Sequence, residues 1–343
     1  MTRHPKDHAR WKKIVQSFPD VSITVLGDLV ADEFVFGEIA RVSREAPVLI
    51  LKHRERTVVP GGGGNAIMNL AALGVNVLPV GVVGDDEPGH LLLEALHARK
   101  IPTGGIHRLK HYTTTTKTRI LAGMSHTGRQ QVIRVDREAD PLDENHPVLL
   151  NLVNAAREYA TASDAFMISD YGYGAATPRL LTFVRSNGCV ADKPVTLDSR
   201  YRMLEFTGAT SATPNEPEVE EALGMRIGHD TEKLLHAGEQ LIERMGLESL
   251  VITRGRDGMV AFERDAPPEN IAIFGSDQVV DVTGAGDTVI ATFTAAIAAG
   301  ADAKTAAKLA NLAGGLVVMK RGTATVSAKE LLGVIDQYTA AHA

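Results

Sequence analysis

The chain has 343 residues, 44% of them hydrophobic and 23% charged, proportions that exclude a disordered segment or a collagen-like fibre. Lys and Arg total 36 against 42 Asp and Glu, a net charge of -6. That balance excludes a dedicated nucleic-acid binder but leaves room for a small anionic substrate in a local positive pocket. Cys189 is the one cysteine, so no internal disulfide or cysteine zinc site can form, and it reads as a buried, inert thiol. The polar, basic start of the chain lacks the apolar core of a signal peptide, and no apolar run is long enough to cross a bilayer. A cytoplasmic protein without a membrane partner is therefore expected.

In chain order, residues 10–18 suggest a short amphipathic helix, and VSITVLG (21–27) a buried strand ended by a glycine. Segments 34–36, 48–52 and 56–59 suggest small half-exposed strands. A helix over 65–74, a buried strand over 77–84 and a helix over 88–100 follow. Residues 112–136 return to a polar β pattern. Strands and helices then alternate: helix 147–161, strand 164–170, helix 177–187, strands 194–198 and 209–214, helices 217–223 and 230–246, strand 249–254, a β-rich stretch 258–280, and helices 286–299 and 303–319. Such alternation predicts an α/β fold, a doubly wound, mostly parallel sheet with helices on both faces. The two polar β patches, about 33–59 and 110–136, do not suit that sheet. They are expected to form a small discontinuous lid on one domain spanning 1–343.

The most informative segment is DVTGAGDT, residues 281–288. Gly284 and Gly286 permit a tight turn into an apolar helix, so that backbone N–H groups around Gly284, Ala285 and Gly286 would form an anion hole. Asp287 beside it is either a helix cap or a general base for a hydroxyl. The second signal is PGGGGNAIMNL (60–70), where four glycines run into a helix and Asn65 could hydrogen-bond a polyhydroxylated ligand. A rival reading takes GGGGNA as a dinucleotide fingerprint with Asp85 and Asp86 about twenty residues on, which would make the chain an oxidoreductase. No P-loop lysine motif occurs. Polar residues also punctuate the expected strand ends: Asp28, Asp170, Asp198, Asn215, Thr253 and Arg254. In a doubly wound sheet such ends converge on a ligand. Asn215 and Glu218 are three apart and could both address Mg²⁺ through water.

Together these residues resemble the ribokinase-like carbohydrate kinases, the PfkB family, over about residues 21–330. Segments 27–48, 115–136, 168–174, 212–224 and 318–327 are similar to the heptose 7-phosphate kinase branch of that family. The resemblance implies ATP-dependent phosphorylation of a sugar or sugar phosphate, at best match a heptose 7-phosphate at its anomeric hydroxyl. Asp287 would be the base and Gly284, Ala285 and Gly286 the anion hole. Asn215 and Glu218 would act near Mg²⁺ and the phosphates. Thr253, Arg254 and Gly255 would lie along ATP, with Asn311 near the adenine. Asp28, Asp32, Gly62, Gly63, Asn65 and Asp170 would hold the sugar. Lys117, Arg119, Arg134 and Arg200 are the cations expected nearest a substrate phosphate. Asp281 and Thr283 would match a monovalent-cation site for K⁺. The lid would carry a homodimer contact, as in many members. The family pattern has a lysine where this chain has Tyr173, and Asp-Pro-Lys-Gly where it has Asp198-Ser199-Arg200-Tyr201. The chain length leads to the expectation of a kinase without a fused second domain.

Overall fold

A computed structural model describes residues 5–123, 130–186, 190, 192–275 and 280–341; Cys189 lies outside them. After helix α1 (Pro5–Gln16), strand β1 (Ser22–Gly27) enters a nine-stranded sheet. The next two strands, β2 (Leu29–Val42) and β3 (Leu49–Gly62), leave that sheet as a long hairpin. Then come α2 (Gly63–Ala72), β4 (Asn76–Gly84), α3 (Glu87–Ala98) and β5 (Ile106–Leu109). Strands β6 (Thr116–Gly123) and β7 (Gln130–Arg137) return to the hairpin and complete a separate four-stranded sheet, ordered β3-β2-β6-β7.

The second half alternates as expected: α4 (Val148–Ala162), β8 (Ala165–Asp170), α5 (Pro178–Ser186), β9 (Val195–Ser199), β10 (Ser211–Ala212), α6 (Glu216–Leu223), α7 (Thr231–Met245) and β11 (Ser249–Thr253). Strands β12 (Met259–Glu263) and β13 (Ala266–Ile271) precede α8 (Ala285–Ala298), α9 (Ala303–Val317) and α10 (Ala328–Ala341). The large sheet is ordered β13-β12-β11-β10-β9-β8-β1-β4-β5. Pairings from β5 to β11 are parallel, and β12 and β13 close one side antiparallel.

Helices cover both faces. Strand β8 shows why: Ala165 and Met167 join the layer of α1, α2, α8, α9 and α10, while Phe166 and Ile168 join that of α4, α5 and α7. Alternate residues point to opposite faces, and with both faces covered the strand reads as an unbroken apolar run.

Three expectations need correction. The three small strands at 34–36, 48–52 and 56–59 are one hairpin of two 14-residue strands with two register shifts. The stretch 209–214 contributes only a two-residue strand. Of the β-rich stretch, β12 and β13 reach only Ile271, residues 272–275 are not strand, and 276–279 lie outside the described residues. Strand β5 and helix α10 were not anticipated. The oxidoreductase reading also falls here: Pro60–Gly62 close an antiparallel strand of the small sheet, not a first parallel strand, and Asp86 caps α3. The glycines serve packing. A Cβ on Gly63 would meet Gly27 Cα at 3.0 Å, and one on Gly61 would meet Asp32 Oδ2 at 2.5 Å.

Candidate active site

The carboxyl ends of β8, β9, β10 and β11 lie along one sheet edge, and a cavity of about 520 Å³ opens there. It is lined by Asp170, Asp198, Arg200, Thr213, Asn215, Glu218, Thr253 and the Gly284–Asp287 turn. Four strand-end residues singled out in the sequence therefore do converge.

Helix α8 starts from Gly284 at φ 76°, and no side chain caps it. Its first N–H groups have no intrahelical carbonyl to bond, so the positive end of the helix faces the cavity. Asp287 sits in this first turn, 5% exposed. It is not a cap. Its Oδ1 accepts the Tyr171 hydroxyl at 2.8 Å and its Oδ2 accepts the Asn65 amide at 2.8 Å. Burial pushes its carboxyl up to about 7, against the pull of the Asn65 and Tyr171 donors. A buried carboxylate with no cation paired to it among the described residues and a pKa near neutrality is suited to taking a proton. Gly284 is required twice over. Its φ favours glycine, and a Cβ would lie 2.3 Å from Asn65 Nδ2. At Gly286 a Cβ would meet only open space, so this position leaves the cavity floor bare.

A second, largely apolar cavity of about 190 Å³ abuts the first, sharing Thr253, Val282, Ala285 and Gly286. Gly255, Ile273, Val289 and Asn311 line it. The Asn311 amide donates to Ala272 O at 2.8 Å. Thr253, Gly255 and Asn311 thus share one chamber. Arg254 does not reach it: its Nε bonds Glu216 at 3.0 Å.

Asn215 and Glu218 form a capping box on α6, each side chain accepting the other's backbone N–H, at 2.9 and 2.8 Å. One Glu218 oxygen accepts that N–H, and burial raises its carboxyl pKa. Asp198 is raised well above the carboxylate range by burial and by the charges of Glu218 and Asp287. Thr213 Oγ1 is buried in this wall with no partner among the described residues. Such a wall fits a hard cation held by one carboxylate, water and phosphate oxygens. Among the described residues no three His, Cys, Asp or Glu side chains gather closely enough to hold a metal alone. Asp281 accepts the N–H groups of Thr283 and Gly322 at 2.9 and 3.0 Å, stitching the approach to α8 onto the 318–327 loop.

The remaining candidates lie around the cavity. Asp28 is buried and accepts the backbone N–H groups of Tyr171, Tyr173, Ala175 and Ala176. Burial and the Asp170 charge push it up to about 6. Asp170 is held by Arg202, at 2.8 and 3.1 Å, and by Ser199 at 2.7 Å. Asp32 takes Arg119 and Thr323. Gly62 is the N-cap of α2, at φ 54°. Arg200 is the one basic residue among the described residues lining the polar cavity, stacked on Tyr201. Lys117, Arg119 and Arg134 remain on the small sheet. Lys117 is 3.7 Å from Asp136 and 3.8 Å from Glu138, and Arg134 pairs with Asp136 at 2.9 Å. Tyr173 bonds Glu138 at 2.9 Å and so ties the 171–174 turn to that sheet. Tyr171 was missed as a site residue. Its only signal was its place directly after a strand-end aspartate.

The sequence matches the pfkB family carbohydrate kinase model over residues 27–330, and the chain belongs to that family. Among curated proteins it is 40% identical over 316 residues to the bifunctional protein HldE of Geobacter metallireducens, covering 92% of this chain and 63% of that protein. It is 39% identical to the HldE of Gluconobacter oxydans, over 93% of this chain and 65% of that protein. The chain therefore spans just under two thirds of the length of these relatives. Solved structures of similar fold include Arabidopsis thaliana ribokinase complexed with ribose and ATP (TM-score 0.70, 19% identity, 92% of this chain and 98% of that one). Another is Escherichia coli phosphofructokinase-2 in complex with potassium (TM-score 0.74, 15% identity, 93% and 99%).

Proposed function

We propose that the chain transfers the γ-phosphoryl group of ATP to a hydroxyl of a sugar phosphate, with a heptose 7-phosphate accepting at its anomeric hydroxyl. The observation that carries the reading is Asp287, a buried carboxylate without a cation, in the first turn of an uncapped helix where a polar and an apolar cavity meet. The adenine occupies the apolar chamber beside Asn311, and the triphosphate crosses bare Gly286 toward the first N–H groups of α8. Asp287 accepts the proton of the sugar hydroxyl as its oxygen bonds the γ-phosphorus. The bond from that phosphorus to the β–γ bridging oxygen breaks, and ADP leaves. The α8 N–H groups face the charge that develops on the transferred group. Asn215, Glu218 and Thr213 would hold Mg²⁺ through water. When bound, Mg²⁺ neutralises charge on the β- and γ-phosphates.

Arg200 and the Tyr173–Glu138–Lys117 chain flank the side where the substrate phosphate would lie, and HldE relatives fit a heptose-phosphate substrate. The whole reads as one kinase domain with the small sheet as lid. The exposed edge strand β7, with Ile133 and Val135 bare, supports a homodimer through that lid. Asp281 and Thr283 are the residues to test for K⁺ dependence.

The deciding experiment measures phosphoryl transfer from ATP–Mg²⁺ across sugars, sugar phosphates and nucleosides. Preference for heptose 7-phosphate is expected. Preference for an unphosphorylated sugar or a nucleoside overturns the substrate assignment, and no transfer to any acceptor overturns the kinase reading.

A further inference from the structure

The two hydrogen bonds on Asp287 come from opposite sides of the site. Asn65 belongs to α2 and reaches Oδ2; Tyr171 follows β8 and reaches Oδ1. Tyr171 is anchored for this. Its N–H bonds Asp28 Oδ2 at 2.9 Å, and the next residue, Gly172, turns at φ 84° with its N–H on Asp170 Oδ1. The ring passes over Gly62, where a Cβ would come within 3.3 Å of Tyr171 Cε2. The second glycine of the run therefore leaves the phenol its seat. The ring also lines the polar cavity alongside Asp198 and Glu218.

We propose that Tyr171 is a positioning residue for the Asp287 base, its hydroxyl fixing the carboxylate plane against the Asn65 amide and tempering its basicity. This rests on the reading of Asp287 as the base. With one donor on each oxygen the carboxylate cannot rotate freely, and each oxygen keeps a lone pair for the incoming hydroxyl. Tyr171 remains a donor throughout the working pH range, because burial and the Asp287 charge raise its phenol well above 10. The other charged groups around Asp287 are Asp32 from β2, itself paired with Arg119, Asp198 and Arg200 from the end of β9, and Glu218 from α6. Asp32 disfavours the ionised base, so the Tyr171 donor works against it.

Activity requires ionised Asp287, so kcat falls as the pH drops through the pKa of the bound enzyme. Removing a donor to the carboxylate raises that pKa. In Tyr171→Phe the acidic limb of the kcat–pH profile, with ATP–Mg²⁺ and heptose 7-phosphate, is expected to move up by about one unit. At pH 7 kcat falls by about fivefold, and the loss shrinks at pH 9. KM for ATP stays within about twofold of the wild type. Replacement of Tyr171 by 3-fluorotyrosine, a stronger donor of the same shape, moves the limb the other way. A loss equal at every pH, or an unmoved limb in both variants, overturns the proposal. Asp287→Asn separates the two claims. If it keeps near wild-type kcat, the base reading itself fails. If it is inactive while the Tyr171 variants keep the wild-type profile, only the Tyr171 proposal fails.

Discussion

In the nine-stranded sheet, Phe166 of β8 is 0% exposed and packs in a layer closed by three helices; in the four-stranded sheet, every residue of β7 faces solvent, with Ile133 at 53%. Charges follow the same division. Beside the large sheet, Asp28, Asp170 and Asp287 are buried and held by two or more directed hydrogen bonds each. On the small sheet, Asp32–Arg119 is a buried pair, but Arg54–Glu38 and Arg134–Asp136 are solvated ion pairs, of the kind that contributes little to stability. One sheet holds reacting groups in place at a cost in desolvation, and the other offers a surface that can change shape or partner cheaply.

The comparison is tested first at Asp287. Asp287→Asn is expected to keep the fold and ATP binding and to lower kcat by about 10²–10⁴-fold, measured by coupled ADP release. Near wild-type turnover would mean that the rigid half carries no base. Phe166→Ala should cost about 3–5 kcal/mol, read from urea unfolding; a loss below about 1 kcal/mol would show that the large sheet is not the stability core. Arg200→Ala and Lys117→Ala straddle the boundary. Each is expected to raise KM for the sugar phosphate by about ten- to a hundred-fold, the loss of one charge-assisted bond to phosphate, with KM for ATP nearly unchanged. Equal effects on a phosphorylated sugar and its unphosphorylated parent would remove both residues from phosphate recognition. Ile133→Ala should change stability by no more than about 0.5 kcal/mol at concentrations where the protein is monomeric, and should weaken the proposed lid dimer in sedimentation. An unchanged association constant would place the dimer contact elsewhere.

The same division decides how much was legible in the sequence. Strands such as β8 and β11 announce themselves because both faces are buried, leaving short apolar runs bounded by turn residues. The glycine turn into α8 is local chemistry and was equally visible. The β2–β3 hairpin was not. Its sequence LKHRERT (51–57) has solvated charges on both faces, and register shifts near Gly37 and Arg41 break the period of two. The site was legible as a set of strand ends, but not as pairings. Asn65 looked like a ligand donor, and only the fold shows its amide turned inward to Asp287. Tyr171 meets a partner 116 residues away, a distance that no local spacing encodes.

The buried Asp28 has a further consequence. It draws four backbone N–H groups of the 171–176 turn inward, so that turn presents the cavity with side chains rather than peptide donors. A wall that reads its ligand through backbone is fixed by the fold. A wall that meets it through side chains such as Arg200 and Tyr201 can be rewritten one codon at a time, with the scaffold beneath untouched. Under the proposed function, acceptor preference would therefore be open to drift among related sugars while Asp287 and the start of α8 stay constant.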